Sequence, residues 1–323
     1  MFSAEALVAV FLAVMLLASL ISLRAKVPYT LILVILGIGL SAISAFSFFG
    51  VASLSELVLQ IEGLFTQMIS GPSGGLFVGL VVPPLLFEAM IHIRSSDLKA
   101  VVRPSFVLAT VGVIISTVVG GFFLFEIVGL PFYVSFLFAA IISPTDVATV
   151  LEIFRQAKVP SKLSALMDTE AAFNDATGIV VFTVILSFAS FGQVSAISAV
   201  SNFALIFAGG ALVGLVIAFA AELLSSLITE KLTDTILTIS TVYGSYALAS
   251  SLGVSGLIAV TVVGLYFGNF TIRTTMGQAT RETVTVFWEF AAFVGNSIAF
   301  LFIGFSTDIF KLASAIYTIL LAY

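Results

Sequence analysis

The chain has 323 residues, of which 60% are hydrophobic and 9% are charged, and its formal net charge is -5. Soluble domains carry charge on about a quarter of their residues, so this composition excludes an ordinary soluble fold. The chain has no cysteine and one histidine, His92, which excludes disulfides, thiolate chemistry and multi-histidine metal sites. Lipid must therefore solvate most of this chain.

The apolar runs predict helices that cross a membrane. In lipid every backbone N–H and C=O needs a partner within the protein, so only helices and closed barrels span it. Runs of about 18–22 residues have the length of spanning helices, whereas barrel strands alternate over about ten residues. We predict an all-α transmembrane bundle forming one domain over 1–323. Hydropathy and helix breakers place ten complete spans, and a partial eleventh from about Leu312, at about 4–22, 28–46, 74–92, 105–128, 132–153, 163–190, 198–223, 234–252, 254–270 and 283–305.

The basic residues predict the orientation of these spans. If the spans alternate, one side of the membrane holds only Lys311, and eleven of the twelve Lys and Arg residues lie in the loops after odd-numbered helices. These are Arg24, Lys26, Arg94, Lys99, Arg103, Arg155, Lys158, Lys162, Lys231, Arg273 and Arg281. Basic loops stay in the cytoplasm, so we predict a multi-pass protein of the cell membrane with its N-terminus outside.

Three acidic residues, Asp146, Glu170 and Asp175, fall inside predicted spans. An ionisable group in the hydrocarbon region is costly, and it typically lines an ion pathway or binds a partner. The alternative is a structural hydrogen bond or ion pair between helices, which is as good an explanation for Glu170 alone. Acidic residues in loops and at helix ends need no such role.

The fifth predicted helix contains the segment SPTDVATV at 143–150. Pro144 lacks an N–H and its ring clashes with the preceding turn, so we expect the helix to open around Ser143–Asp146. Carbonyl oxygens freed at such a break suit a small cation, and discontinuous helices build midplane ion sites in transporters. Thr145 and Asp146 at the break strengthen this interpretation over a purely structural kink.

The sixth predicted helix carries Glu170 and Asn174, which are four residues apart and share a face. Asp175 lies about 100° further round, so all three can address one crevice between helices. Counted from the basic loop at 155–162, Asp146 and Asp175 both lie roughly 12–18 Å into the bilayer. The sequence therefore predicts that the two aspartates meet at one level.

Two further acidic residues, Glu88 and Glu289, lie near predicted cytoplasmic helix ends. Snorkelling or capping accounts for both, and lining of a cytoplasmic funnel is the functional alternative. His92 adjoins a basic loop, and an interfacial position explains it better than a pH-sensing one. Gly264 with Gly268, and the cluster at 209–214, predict close helix packing.

Six segments of the chain resemble the cation/proton antiporter family of prokaryotic and eukaryotic sodium/proton exchangers, in its Asn-Asp branch. The more specific signals are PPLLFEA and the spacing of Glu170 to Asn174 and Asp175. In the family's order, the six are PYTLILVILGIGL at 28–40, VVPPLLFEAMIHI at 81–93, SPTDVATV at 143–150, TEAAFNDATGIVVF at 169–182, GVSGLIAVTVVGLYFGN at 253–269 and FWEFAAFVGNSIAFLFIGF at 287–305.

The resemblance implies secondary exchange of Na⁺, with Li⁺ or K⁺ as other candidate cations, for H⁺. It implies that Asp175 binds cation and proton alternately, that Thr145 and Asp146 complete the Na⁺ site, and that Asn174 and Glu170 support it. It also implies a homodimer with an elevator-like or rocking motion. Since Asn174 does not titrate, exchange is expected to be electroneutral, and neither a cofactor, an enzymatic activity nor nucleic-acid binding is expected.

Two departures from the family pattern bear on this expectation. Members usually carry Ser after the glutamate, where this chain has Ala171, so water or Thr145 would have to supply that oxygen. The family also continues through further helices where this sequence stops at Tyr323, which leads us to expect a C-terminally truncated chain. The alternatives to an exchanger are therefore a cation channel using the same crevice and a non-transporting fragment or subunit.

Overall fold

The computed structural model describes residues 4–45, 63, 76–93, 95–145, 150, 154, 157–191 and 196–307. Within these residues the secondary structure is helical, with no strand. Five helices of the described part are long and apolar enough to cross a membrane, namely those containing Val8–Ala25, Lys99–Val128, Ala204–Ser225, Gly256–Thr275 and Gln278–Phe305. The predicted all-α class is confirmed, and the partial eleventh span falls outside the described residues.

Each of the ten predicted spans overlaps a described helix. The α-helices in chain order are α1 Ala4–Ala25, α2 Tyr29–Ala45, α3 Leu76–Ile91, α4 Ser95–Val107, α5 Val113–Phe123, α6 Phe132–Ile142, α7 Ser161–Phe191, α8 Ala196–Ser225, α9 Lys231–Ser251, α10 Gly256–Tyr266 and α11 Gln278–Phe305. Wider π-helical turns join α4 to α5 over Leu108–Gly112 and extend α5 and α10 over Leu124–Val128 and Phe267–Thr275.

The fourth predicted span begins too late in the sequence. It was expected at about residue 105, after a basic loop, but α4 begins at Ser95 and continues through Pro104. The helical form is held by tertiary packing, because Val101 and Ser105 are fully buried and Ser105 Oγ donates to the carbonyl of Leu166 at 3.0 Å. Lys99 and Arg103, predicted in a loop, therefore lie in a helix.

The described chain forms two compact units, and the first comprises the described parts of 1–82 and 291–321. Tyr29 of α2 stacks on Phe293 of α11 with ring centroids 4.8 Å apart. The Tyr29 hydroxyl also shares a 2.8 Å hydrogen bond with Ser297 Oγ. A Cβ on Gly37 would lie 2.6 Å from the carbonyl oxygen of Leu301, so the two backbones cross in direct contact.

The second unit comprises the described parts of 83–290 and holds the predicted site. Trp288, which is fully buried, contacts Phe87 with ring centroids 4.6 Å apart and donates from Nε1 to Thr238 Oγ1 at 2.9 Å. The predicted close packing at glycines is confirmed. A Cβ on Gly264 would lie 2.6 Å from Met90 Cβ, and one on Gly210 would lie 2.5 Å from the carbonyl oxygen of Ser255.

Candidate functional site

The predicted helix break lies directly after α6. The helix ends at Ile142, its last backbone bond runs from Ser143 N to the carbonyl of Ala139 at 3.0 Å, and Thr145 has left the helical conformation. Pro144 explains this end, because it has no N–H to donate to the preceding turn. The backbone at Thr145 is therefore free to present its carbonyl oxygen to a neighbouring helix.

Asn174 of α7 binds the broken segment. Its side-chain nitrogen donates to the carbonyl oxygen and to the hydroxyl oxygen of Thr145, each at 3.3 Å. The same nitrogen donates to Glu170 Oε1, one turn earlier on α7, at 3.0 Å. Asn174 is only 1% exposed, so these bonds are shielded from water. The predicted shared face of Glu170 and Asn174 is confirmed, and Thr145 lies against it.

The side-chain oxygens of Glu170, Asn174 and Thr145, with the carbonyl oxygen of Thr145, form what we call the oxygen cluster. Two of these oxygens are buried without a hydrogen-bond donor among the described residues. Glu170 Oε2 and Asn174 Oδ1 accept no bond from the part of the chain that the structure describes. A buried oxygen that loses its partner typically costs about 1–3 kcal/mol, so such atoms call for a ligand or for bound water. Carboxylate, amide and carbonyl oxygens are the hard ligands that cations such as Na⁺ accept.

The two aspartates of the predicted site are only partly covered by the structure. Asp146 follows Thr145 in the chain and lies outside the described residues. The backbone of Asp175 is helical and directly follows Asn174, but its side chain is outside the described part. The structure thus brings Thr145, Asn174 and Glu170 together, and the roles of Asp146 and Asp175 stay predictions.

The two funnel candidates differ in their surroundings. Glu88 at the end of α3 has a side chain that is 13% exposed, and its Oε1 lies 3.3 Å from His92 Nε2. Glu289 of α11 is exposed. A pair four residues apart at a helix end fits the structural account of Glu88 and His92. Lining of a cytoplasmic funnel by either glutamate stays a prediction.

Two residues beside the break were not predicted from the sequence. Thr117 of α5 donates to Ser143 Oγ at 3.0 Å, and Gly178 of α7 lies directly against the ring of Pro144. Both contacts join helices whose rotations hydropathy does not fix. The spacing of Gly178, one turn after Asn174, is the only sequence feature that could have indicated a close approach there.

Comparisons with known proteins show which family this chain is similar to. The sequence model of the family described as "Sodium/hydrogen exchanger, transmembrane" matches residues 9–323. The Na⁺/H⁺ antiporter ApNhaP of Aphanothece halophytica is 37% identical over 306 residues, covering 94% of this chain and 54% of the relative. The low-affinity Na⁺/H⁺ antiporter NhaS1 of a Synechocystis strain is 34% identical over 97% of this chain and 55% of its own. The chain thus spans about half the length of these curated relatives.

The fold also matches a solved structure. The sodium proton antiporter MjNhaP1 from Methanocaldococcus jannaschii superposes with a TM-score of 0.72 at 23% identity. The match covers 98% of this chain and 74% of that chain. At this identity the likeness concerns the fold.

Proposed function

This chain belongs to the transmembrane sodium/hydrogen exchanger family, and we propose that it exchanges Na⁺ for H⁺ across a membrane. The observation that carries the proposal is the oxygen cluster at the helix break. Thr145 is bound to Asn174, while Glu170 Oε2 and Asn174 Oδ1 are buried and accept no hydrogen bond from the described residues. These oxygens would coordinate a dehydrated cation, as oxygens do at other discontinuous helices in transporters.

In this proposal Asp175 is the residue that binds Na⁺ and H⁺ alternately. Its backbone directly follows Asn174 on α7, one residue beyond the amide that binds the break. Thr145 and Asp146 complete the Na⁺ site, and Asn174 and Glu170 support it. A carboxylate in an apolar span is well suited to this role, because proton and cation compete for its oxygens.

We propose that the exchange is electroneutral, with one proton traded for one cation. The reason is that Asn174 carries no proton, which leaves Asp175 as the carboxylate shared by both ions. Glu170, whose Oε1 accepts from Asn174, is a structural partner in this scheme. The mechanism requires no covalent step, and so neither a cofactor nor an enzymatic activity.

The protein is proposed to lie in the cell membrane with its N-terminus outside. The transported ions would reach the oxygen cluster from within the helix bundle. The strongest support for this orientation is the distribution of basic residues. Eleven of the twelve Lys and Arg residues fall on one predicted side of the membrane. We propose a homodimer on family resemblance alone. The 1–323 region is proposed to act as one antiporter domain.

The test is counterflow in liposomes containing the protein expressed from its complete gene. A pH gradient is set with the interior acid, and the internal pH is followed as Na⁺ is added outside. An exchanger dissipates the gradient only when Na⁺ is present, whereas a channel conducts cations without obligatory proton counterflow. Choline in place of Na⁺ is the control. A gradient that collapses equally with choline, or that survives Na⁺, would reject the proposed exchange.

A further inference from the structure

We propose that Gly178 and Thr117, outside the oxygen cluster, are positioning residues that hold Thr145 within reach of Asn174. The proposal rests on the proposed exchange, because it assigns these residues to the same cation site. Pro144 lies between their two contacts and directly precedes Thr145. Whatever fixes the ring of Pro144 therefore fixes the oxygens of Thr145.

Gly178 holds the break from the side of α7. It is buried, and a Cβ built on it would collide with Pro144 Cγ and lie 3.2 Å from Cδ. The carbonyl oxygen of Ala140 would lie 3.6 Å away. The proline ring thus rests on bare backbone one turn beyond Asn174, and any side chain at 178 must push the ring away.

Small displacements matter here because the bonds from Asn174 to Thr145 are already long. Both measure 3.3 Å, near the upper limit for a hydrogen bond of this kind. A shift of a few tenths of an ångström would break them. Glu170 would keep its own bond to Asn174, at 3.0 Å and within the same helix. The expected defect is therefore in the cation site and not in α7.

Thr117 holds the break from the opposite helix. It is 2% exposed, and its hydroxyl donates to Ser143 Oγ at 3.0 Å. Ser143 Oγ in turn donates to the carbonyl oxygen of Ala139 at 2.7 Å. This chain of hydroxyls ties α5 to the last turn of α6, one residue before Pro144. It fixes where the helix stops, whereas Gly178 fixes how closely the broken end approaches α7.

A purely structural role predicts a different outcome from a positioning role. If Gly178 and Thr117 only pack helices, their substitution lowers the amount or thermal stability of the protein and leaves its apparent Na⁺ affinity unchanged. If they position Thr145, the Na⁺ concentration for half-saturation rises in protein that is folded and inserted. Gly178→Ala is a sharp probe, because alanine improves helix propensity and adds only the clashing carbon.

The experiment compares Gly178→Ala, Thr117→Val and Thr117→Ser with wild type, and uses Gly244→Ala as the matched control. Gly244 is also in a helix, and a Cβ there meets nothing within 4 Å. Half-saturating Na⁺ is measured twice for each protein, by proton flux in liposomes and by Na⁺-dependent thermal stabilisation in detergent. Pro144→Ala is measured alone and combined with Gly178→Ala, because the double variant removes the ring atoms that the new carbon would strike.

We expect half-saturating Na⁺ to rise about tenfold in Gly178→Ala, by both measures, and to stay at the wild-type value in Gly244→Ala. Thr117→Val should show a smaller rise that Thr117→Ser reverses. The double variant should match Pro144→Ala alone, a non-additive result expected of groups in contact.

An unchanged value in Gly178→Ala, with wild type active, overturns the inference. Wild type that is stabilised by Na⁺ but moves no protons rejects the exchange, and the thermal measure still decides the inference. Wild type with neither response overturns both.

Discussion

The side-chain amide of Asn174 organises the candidate site at the level of single residues. Its two hydrogens serve three oxygens, two of Thr145 and one of Glu170, so the donor capacity of the group is fully used. Within the described part of the chain, its own oxygen and the second oxygen of Glu170 accept no hydrogen bond. The amide therefore orients the broken helix without bringing a charge of its own.

Ala171 offers a way to raise the cation affinity of this site. It lies four residues before Asp175, a spacing that puts two residues on one face of a helix. Members of the exchanger family usually carry Ser at this position. We predict that Ala171→Ser lowers half-saturating Na⁺ about threefold, because the hydroxyl adds a hard oxygen ligand. The measurement is Na⁺-dependent proton flux in liposomes, with Ala172→Ser, one residue further along the sequence, as control. Equal affinities in both variants would contradict the prediction.

At this scale the sequence predicted what lies within one helix and missed what lies between helices. The four-residue spacing of Glu170 and Asn174 is enough to place them on one face, and the proline is enough to predict the break. The contacts of Thr117 with Ser143 and of Gly178 with Pro144 depend on how helices are rotated against one another. Hydropathy is nearly uniform around these helices, so it carries no such information.

At the level of helices, Trp288 and Thr238 illustrate how helices of the second unit are held against one another. Both residues are fully buried, and the indole N–H of Trp288 on α11 donates to the Thr238 hydroxyl on α9. Thr238 Oγ1 itself donates to the carbonyl of Thr235, which orients its lone pairs toward the indole. Aromatic packing of Phe87 against Trp288 adds α3 to this contact.

We predict that Thr238→Val destabilises the protein by about 1–3 kcal/mol, because the buried indole N–H loses the hydroxyl that accepts its hydrogen bond while side-chain volume is nearly kept. Thermal unfolding in detergent measures the change. Thr283→Val on α11 is the matched control, since that hydroxyl is exposed and bonds back to Ala279. A midpoint for Thr238→Val equal to that of the control would show that the contact adds no stability.

Helix positions were predictable from the sequence, but some helix ends were not. Apolar length alone recovers α1, α2 and α9 to within a few residues. The predicted start of α4 was wrong by about ten residues, because Pro104 and the nearby basic residues are typical of a loop. Burial of Val101 and Ser105 outweighs that local signal, and such burial is decided by the neighbouring α7.

The proposed orientation of the whole molecule rests on the distribution of charge, and the absence of cysteine from the sequence makes it simple to test. We predict that Leu252→Cys is labelled by an impermeant maleimide applied to intact cells, whereas Leu227→Cys is labelled only after lysis. Both side chains are exposed, at 61% and 80%, and both lie just past the end of a helix. The reversed pattern of labelling would mean that the N-terminus is inside.

Charge balance is the second property of the whole molecule. If one cation is exchanged for one proton, each transport cycle moves no net charge. The membrane potential therefore does not drive or oppose the exchange. We predict that proton flux driven by a fixed Na⁺ gradient is the same at imposed potentials of either sign, set with valinomycin and K⁺. A rate or end point that follows the potential would reject one-for-one exchange and would point to Glu170 as a second titrating group.

In the proposed exchange one carboxylate, Asp175, takes both ions in turn. Its most direct test is Na⁺-dependent proton flux in liposomes of Asp175→Asn beside wild type, at matched amounts of inserted protein. Asparagine keeps the size of the side chain but binds no exchangeable proton and carries no charge. We predict that Asp175→Asn inserts normally and exchanges at the rate of protein-free liposomes, while retained Na⁺-dependent proton flux in this variant would contradict the account.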